Sequence, residues 1–362
     1  MARMTREEQF APDEIAIVHV MNRLVRRCHL MGDDPITGKN YDHRKQWVEN
    51  ELDRVASLFG IDLFAFAILA NHFHLVLRSR PDVVSTWDDR EVARRWLTLC
   101  PKGKKKGRGA KPLNEREISK ICRDAKRLAE LRSRLSDISW WMRLVCQRIA
   151  QKANAEEEEV GKFWQARYKA VRLLDEEAVL ACTAYVDLNP IRAAIAETLE
   201  SSDFTSVQRR IKALREGLQN PCVIAAGVED QMTENVPLTA DSALAPLEID
   251  ELNDPLGPRP SINGRRCSDK GFLAMPLAAY LELLEWTARQ VVPNKRGATP
   301  ETTPPLPERF KIRPEIWCEL VSEFGRLFSL VAGQPHKVDD HRGRLSKKQF
   351  FMKQSTRQLL SC

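Results

Sequence analysis

The sequence has few tyrosines, no closely spaced cysteines and no long apolar run. Four tyrosines occur in 362 residues, and the nine cysteines lie singly along the chain. The lack of a C-x-x-C pair argues against a zinc ribbon, and an odd, scattered set of thiols argues against a disulfide framework. No segment approaches the ~18 consecutive apolar residues of a membrane helix, and no signal-peptide pattern is present. These absences predict a cytoplasmic protein with no membrane partner.

The composition is that of a globular protein with excess positive charge. Hydrophobic residues make up 43% of the chain and charged residues 30%, and the net charge is +7. The length suffices for two domains or for one domain with large extensions. Excess positive charge favours an anionic partner, of which nucleic acid is the commonest.

Hydrophobic periodicity in the first part of the chain predicts strands and one helix. A β-branched run at residues 14–22 predicts a strand, and apolar positions at helical spacing over residues 43–59 predict a helix. Two further apolar runs, at residues 61–69 and 72–78, are separated only by Ala70-Asn71. So short a connection predicts an antiparallel hairpin.

A helical insertion separates this part from a last strand and helix. Residues 81–137 have helical patterns around the basic run PKGKKKGRGAK, and residues 163–174 predict a fourth strand. Asp175 is a suitable N-cap for the helix that follows. The order βαββ, insertion, βα predicts an α+β fold: a ferredoxin-like, split βαβ antiparallel sheet with helices on one face.

The C-terminal part is predicted to be a separate extension. Residues 209–270 lack periodicity and are interpreted as a mobile linker. Apolar stripes at residues 276–291 and 314–332 predict two helices of a small helical module over residues 271–335, and residues 336–362 form a basic tail. The sequence leaves open whether these helices pack on the core, form a homodimer or bind flanking DNA.

Two histidines lie one residue apart in the second strand of the hairpin. His72 and His74 flank Phe73. Because side chains alternate along a strand, both imidazoles face one side, about 7 Å apart. That spacing allows both to bind one metal ion. The alternative is a half-buried strand whose exposed face carries two histidines by chance.

A tyrosine and an asparagine lie one helical turn apart in the late helix. Tyr185 and Asn189 project from the same face, and Pro190 places Asn189 at a helix end or kink. One interpretation is a packing tyrosine followed by a turn asparagine. The other is a nucleophilic phenol beside a metal ion, with the amide oxygen as a third ligand.

Three motifs in this order resemble a known family. They are HFH on a strand, FWQARY from Phe163 and YVDLNPIRA from Tyr185. Over residues 15–196 the chain resembles the single-tyrosine HUH transposases of the insertion-sequence-200-like group, and specifically the REP-associated tyrosine transposases. The resemblance implies a catalytic domain over residues 12–208, interrupted by the insertion at 81–137.

The resemblance also implies an activity and the residues that perform it. His72, His74 and Asn189 would bind a divalent metal ion, Mg²⁺ or Mn²⁺, and Tyr185 would be the catalytic nucleophile. The enzyme would nick and rejoin single-stranded or hairpin DNA through a 5′-phosphotyrosine intermediate, without a nucleotide cofactor.

Basic and aromatic residues near the motifs are predicted to contact DNA, because cations neutralise phosphates and aromatic rings stack on unpaired bases. They are Arg78, Arg80, Trp164, Arg167, Lys169 and Arg192. Two other classes of function stay open. One is a catalytically silent hairpin-DNA-binding protein derived from a transposase. The other is an unrelated H-x-H metalloenzyme, in which His19 could supply a further ligand.

Overall fold

A computed structural model describes most of the chain. It covers residues 4–25, 31–34, 38–101, 113–219, 239–250, 257–291 and 313–361. Apart from Pro101, the basic run PKGKKKGRGAK lies outside the described residues. Within these ranges, no helix is both long enough and apolar enough to cross a membrane.

Five strands form one mixed sheet, which confirms the predicted α+β class. They are β1 (Ile17–Arg23), β2 (Ile61–Ile68), β3 (His72–Ser79), β4 (Lys169–Leu173) and β5 (Val331–Ala332). Their order is β2-β3-β1-β4-β5. The pairs among β1–β4 are antiparallel, whereas β5 lies parallel to β4. The predicted hairpin is confirmed as β2–β3, and the two-residue β5 adds an edge from the C-terminal part of the chain.

The helices of the N-terminal half cover the first face of the sheet. They are α1 (His43–Ala56), α2 (Pro81–Thr86), α3 (Asp89–Leu99), α4 (Glu115–Cys122), α5 (Ala125–Ser136) and α6 (Ile138–Glu156). Their apolar side chains share one core with Val18 and Val20 of β1 and Leu75 of β3. The insertion over residues 81–137 thus contains α2–α5, which extend this layer.

The later helices cover the opposite face. They are α7 (Glu176–Asp187), α8 (Asn189–Arg192), α9 (Ser206–Gln219), α10 (Leu277–Val291), α11 (Pro314–Leu327), α12 (Pro335–Leu345) and α13 (Gln354–Ser361). They share a second core with Val76 of β3 and Val171 of β4. The prediction of helices on one face is therefore wrong. All eight residues of β2 are buried, as expected for a strand covered on both sides.

The C-terminal part packs on the sheet more closely than its composition suggested. The predicted linker over residues 209–270 overlaps α9, and beyond it the Ala245 amide donates to the Leu63 carbonyl of β2 at 2.9 Å. From α10, the Tyr280 hydroxyl donates to Asp187 of α7 at 2.7 Å. The prediction of a linker missed this packing because the short apolar run around Ala245 lies among Pro, Asp and Ser residues. In the described residues, the helices after 271 belong to the core of the second face.

Candidate active site

Three histidines lie on the face of the sheet that α7 covers. His19 of β1 alternates with Val18 and Val20, whose side chains are buried on the first face, so the His19 imidazole points to the second. The same alternation directs His72 and His74 of β3 to that side. The ring centroid of His74 lies 5.2 Å from that of His19 and 4.9 Å from that of His72. We call these three residues the imidazole cluster.

Hydrogen bonds hold one nitrogen of each β3 histidine. His74 Nδ1 lies 2.9 Å from His19 Nε2, and the two rings stack with an interplanar angle of 7°. His72 Nδ1 lies 2.5 Å from the Asn71 amide oxygen. His19 and His74 are buried, and His74 Nε2 is a buried nitrogen with no hydrogen-bond partner. A nitrogen in that condition is suited to bind an added ligand.

The structure places Tyr185 beside the imidazole cluster. Asp175 caps α7 as predicted, since its carboxylate accepts from the Ala178 amide at 2.9 Å. Three turns on, the Tyr185 ring meets His74 edge-on at 5.5 Å and His19 at 5.9 Å between centroids. Tyr185 and the pair His72 and His74, which the sequence predicted to share a site, thus come together between β3 and α7.

Asn189 is the first residue of the short helix α8, which follows α7. One residue, Leu188, separates α7 from α8, and the Leu188 amide still donates to the Ala184 carbonyl at 2.9 Å. Asn189 is therefore one turn beyond Tyr185, as expected from the spacing, and it is 9% exposed. Its role as a metal ligand stays a prediction.

Arg192 connects Tyr185 to the C-terminal part of the chain. Its guanidinium lies 4.7 Å from the centre of the Tyr185 ring and donates to the Ser322 carbonyl of α11. Burial raises the pKa of the Tyr185 phenol above its ordinary value, and the Arg192 charge offsets part of that rise in pKa. The phenol is therefore protonated at neutral pH and needs further activation to act as a nucleophile.

Two residues of α11 border the phenol, and no local pattern pointed to them. Phe324 is fully buried, with its ring centroid 5.7 Å from that of Tyr185 and 6.0 Å from that of His19. A Cβ atom at Gly325 would lie 3.2 Å from the Tyr185 hydroxyl oxygen. The apolar stripe of α11 predicted burial but could not identify what it packs against.

The chemistry of the cluster fits a divalent metal ion held by few protein ligands. Burial lowers the pKa of His19 and of His72 to about 4, and it lowers that of His74 well below its ordinary value. All three imidazoles are therefore neutral at neutral pH, the form that binds metals. Over the described ranges, no three His, Cys, Asp or Glu side chains are placed to hold a metal ion together. Oxygen ligands would have to complete such a site, and His19 is not placed as a third ligand.

Two of the predicted DNA contacts lie inside the protein. Arg78 and Arg80 are 8% and 1% exposed. Arg78 donates to Asp62 at 2.9 Å, and Arg80 donates to Asp82 at 2.8 and 2.9 Å. Because the register places Asp62 directly opposite Arg78, this pairing is a cross-strand feature of β2 and β3. Their position does not favour contact with DNA and gives both arginines a structural role instead.

The remaining predicted contacts differ in exposure. Trp164 is half-buried, packs edge-on against Phe73 at 5.4 Å and donates from Nε1 to the Cys146 carbonyl at 2.8 Å. Arg167 and Lys169 are exposed just before and at the start of β4. These two cations can therefore be reached by a phosphate backbone, whereas Trp164 mainly fixes the loop that carries them.

Comparison with known proteins shows a similarity to a solved structure. No protein-family model matches the chain, and no curated protein matches it. Among solved structures, the chain aligns with a REP-associated tyrosine transposase bound to a REP hairpin. The alignment has a TM-score of 0.33 and 12% identity, and it covers 66% of this chain and 94% of the other. Similarity at this level does not establish a common fold.

Proposed function

We propose that the protein is a metal-dependent transposase that nicks and rejoins single-stranded or hairpin DNA through Tyr185. The observation that carries the proposal is the position of the Tyr185 ring, 5.5 Å from the ring of His74 and directly beside the imidazole cluster. The order of the three sequence motifs, which resembles the single-tyrosine HUH transposases, supports the same activity. We also infer that residues 12–208 form a catalytic domain in which β1–β4 have the split βαβ arrangement, with α1 on the first face of the sheet and α7, which carries Tyr185, on the second.

His72, His74 and Asn189 would hold Mg²⁺ or Mn²⁺. When bound, the ion would neutralise charge on the phosphate oxygens and orient the phosphate for attack. The Tyr185 oxygen would then form a bond to phosphorus while the bond from phosphorus to the 3′-oxygen breaks. The phenol proton ends on the released 3′-hydroxyl. Because the phosphotyrosine retains a phosphodiester bond, another 3′-hydroxyl can reverse the step, and strand transfer needs no nucleotide.

Residues of the chain would position the phenol and the DNA. Arg192 lies over the Tyr185 ring, and its charge offsets part of the rise in the phenol pKa that burial causes, which favours loss of the proton. The exposed cations Arg167 and Lys169 would neutralise backbone phosphates of the bound strand. Arg78 and Arg80 have no part in this proposal because their guanidinium groups are buried.

The second candidate is a hairpin-DNA-binding protein without cleavage. The packing of Phe324 and Gly325 against Tyr185 favours it, since the phenol is half-buried in this arrangement. Both candidates bind hairpin DNA, and they differ in whether a covalent bond to the DNA forms.

A covalent-adduct assay separates them. The probe is a pool of hairpin oligonucleotides with randomised single-stranded flanks and a label at the 3′ end, because the tyrosine keeps the 5′-phosphate of the downstream piece. In Mn²⁺ the wild type should form a labelled adduct that resists SDS, and EDTA should prevent it. Tyr185→Phe should bind the pool and form no adduct.

Tyr168→Phe is the matched control. Tyr168 is buried and its hydroxyl contacts Ser139 at 3.2 Å, away from the imidazole cluster, so this variant should keep adduct formation. An adduct with Tyr185→Phe would contradict the assignment of the nucleophile. Binding without any adduct from the wild type would favour the second candidate.

A further inference from the structure

In both β3 histidines, Nδ1 forms a hydrogen bond with a neighbouring side chain. The Asn71 amide oxygen lies 2.5 Å from His72 Nδ1. An amide oxygen can only accept a hydrogen bond, so His72 Nδ1 carries the proton and His72 Nε2 carries a lone pair. His74 Nδ1 is held by a different partner, His19 Nε2, at 2.9 Å.

The hydrogen bond between His19 and His74 permits two tautomers. If His19 donates, a neutral His74 carries its proton on Nε2, where the buried N–H has no acceptor. A buried donor without a partner is destabilising because its hydrogen bonds to water are lost and not replaced. If His74 donates from Nδ1, its Nε2 presents a lone pair instead. Only the second tautomer can bind a metal ion through Nε2.

His19 is suited to be the acceptor. It is 5% exposed, and its ring stacks on that of His74 and is bordered by the rings of Tyr185 and Phe324. Its Nε2 lies 2.9 Å from His74 Nδ1, so a lone pair on that nitrogen can accept the Nδ1–H of His74. Metal-binding histidines generally donate their second N–H to a neighbouring acceptor, which fixes the ring orientation and raises the basicity of the ligating nitrogen.

We propose that His19 is a positioning residue that accepts the Nδ1–H of His74 and directs the Nε2 lone pair of His74 toward the metal ion. Asn71 does the same for His72. This inference rests on the proposed function, since it assigns how its metal site is prepared. It also explains why a third histidine lies in the cluster without being placed as a ligand.

Mn²⁺ binding to the full chain tests the proposal without DNA or turnover. His19→Phe keeps a flat ring in the stack and removes the acceptor, whereas His19→Gln supplies a carbonyl oxygen in its place. We expect His19→Phe to raise the dissociation constant for Mn²⁺ by about tenfold or more. His19→Gln should bind Mn²⁺ with most of the wild-type affinity. His341→Phe, a substitution of another buried histidine on α12, is the control and should bind Mn²⁺ like the wild type.

The outcomes separate this inference from the proposed function. Wild-type protein that binds no Mn²⁺, or His74→Ala that binds it normally, would overturn the proposed metal site. Loss of Mn²⁺ in His74→Ala with wild-type affinity in His19→Phe would overturn only the positioning role.

A metal-free measurement covers the case in which His19→Phe does not fold. In ¹⁵N NMR spectra of the wild-type protein at neutral pH, His74 should be protonated at Nδ1 and unprotonated at Nε2. The reverse tautomer would refute the proposal.

Discussion

Replacing Arg80 tests whether its role is in the fold or on DNA. The guanidinium is 1% exposed and donates to Asp82 at 2.8 and 2.9 Å, to Ser268 at 2.7 Å and to Asp62 at 3.3 Å. In Arg80→Met these bonds are lost. Asp62 is then left buried with Arg78 as its remaining cation.

The expected effect is on stability. Removing one member of a buried ion pair typically destabilises a protein by 3–5 kcal/mol, because the other charge stays desolvated. Asp62 keeps Arg78 and accepts from Ser268 at 2.8 Å, and Asp82 is partly exposed. We therefore expect Arg80→Met to lower the free energy of unfolding by about 3 kcal/mol, at the low end of that range.

Lys169→Met is the matched substitution on the surface. The Lys169 side chain is exposed at the start of β4, so its loss should change the free energy of unfolding by less than about 0.5 kcal/mol. If it contacts one phosphate of a single strand, the plot of log K against log salt concentration should become shallower by about 0.7. Arg80→Met should leave that slope unchanged.

Urea unfolding and fluorescence anisotropy with a hairpin oligonucleotide at several salt concentrations measure both quantities. The reasoning would be refuted if Arg80→Met had wild-type stability and a shallower salt dependence. That result would mean that the guanidinium is available to DNA, as the sequence alone suggested.

Two further predictions concern the C-terminal helices. Burial lowers the pKa of His341 from 6.5 in the unfolded chain to about 4 in the folded protein. Between pH 6.5 and pH 4 the unfolded state therefore binds more protons than the folded state. The free energy of unfolding should fall by up to about 3 kcal/mol as the pH decreases across this range. His341→Leu should flatten the unfolding free energy across that pH range, and a wild-type slope in this variant would contradict the assignment. Gly325→Ala places a Cβ atom 3.2 Å from the Tyr185 hydroxyl and should slow adduct formation about fivefold with little loss of stability. Gly343→Ala, with open space at its Cβ position, is the control, and equal adduct rates in the two variants would refute the contact.

Local patterns predicted the strands, the hairpin and the helix that carries Tyr185 because these depend on short-range alternation and capping. The alternation along β3 placed His72 and His74 on one face, and the Asp175 cap defined the start of α7. The meeting of this helix with the histidines came from resemblance to a family, since periodicity alone does not state which elements pack together. Both kinds of prediction agree with the observed geometry.

The errors arose where a partner is distant in sequence. Arg78 and Arg80 looked like surface cations because their buried partner, Asp62, lies on another strand and faces Arg78 only through the β2–β3 register. The prediction of helices on one face failed for a similar reason. The apolar sequence of β2 fits a strand buried on one side or on both. Only the packing of the C-terminal helices on the second face shows that both sides are covered.

The position of the phenol depends on the C-terminal part of the chain as much as on the strands. Arg192 contacts both the Tyr185 ring and the Ser322 carbonyl of α11, and Phe324 of the same helix contacts the rings of Tyr185 and His19. A DNA strand that reaches the phenol oxygen must therefore approach beside α11 or displace it. Because Gly325 has no side chain, α11 can lie against the hydroxyl without pushing it from the imidazole cluster. The helix that looked like part of a separate module is thus one wall of the candidate active site.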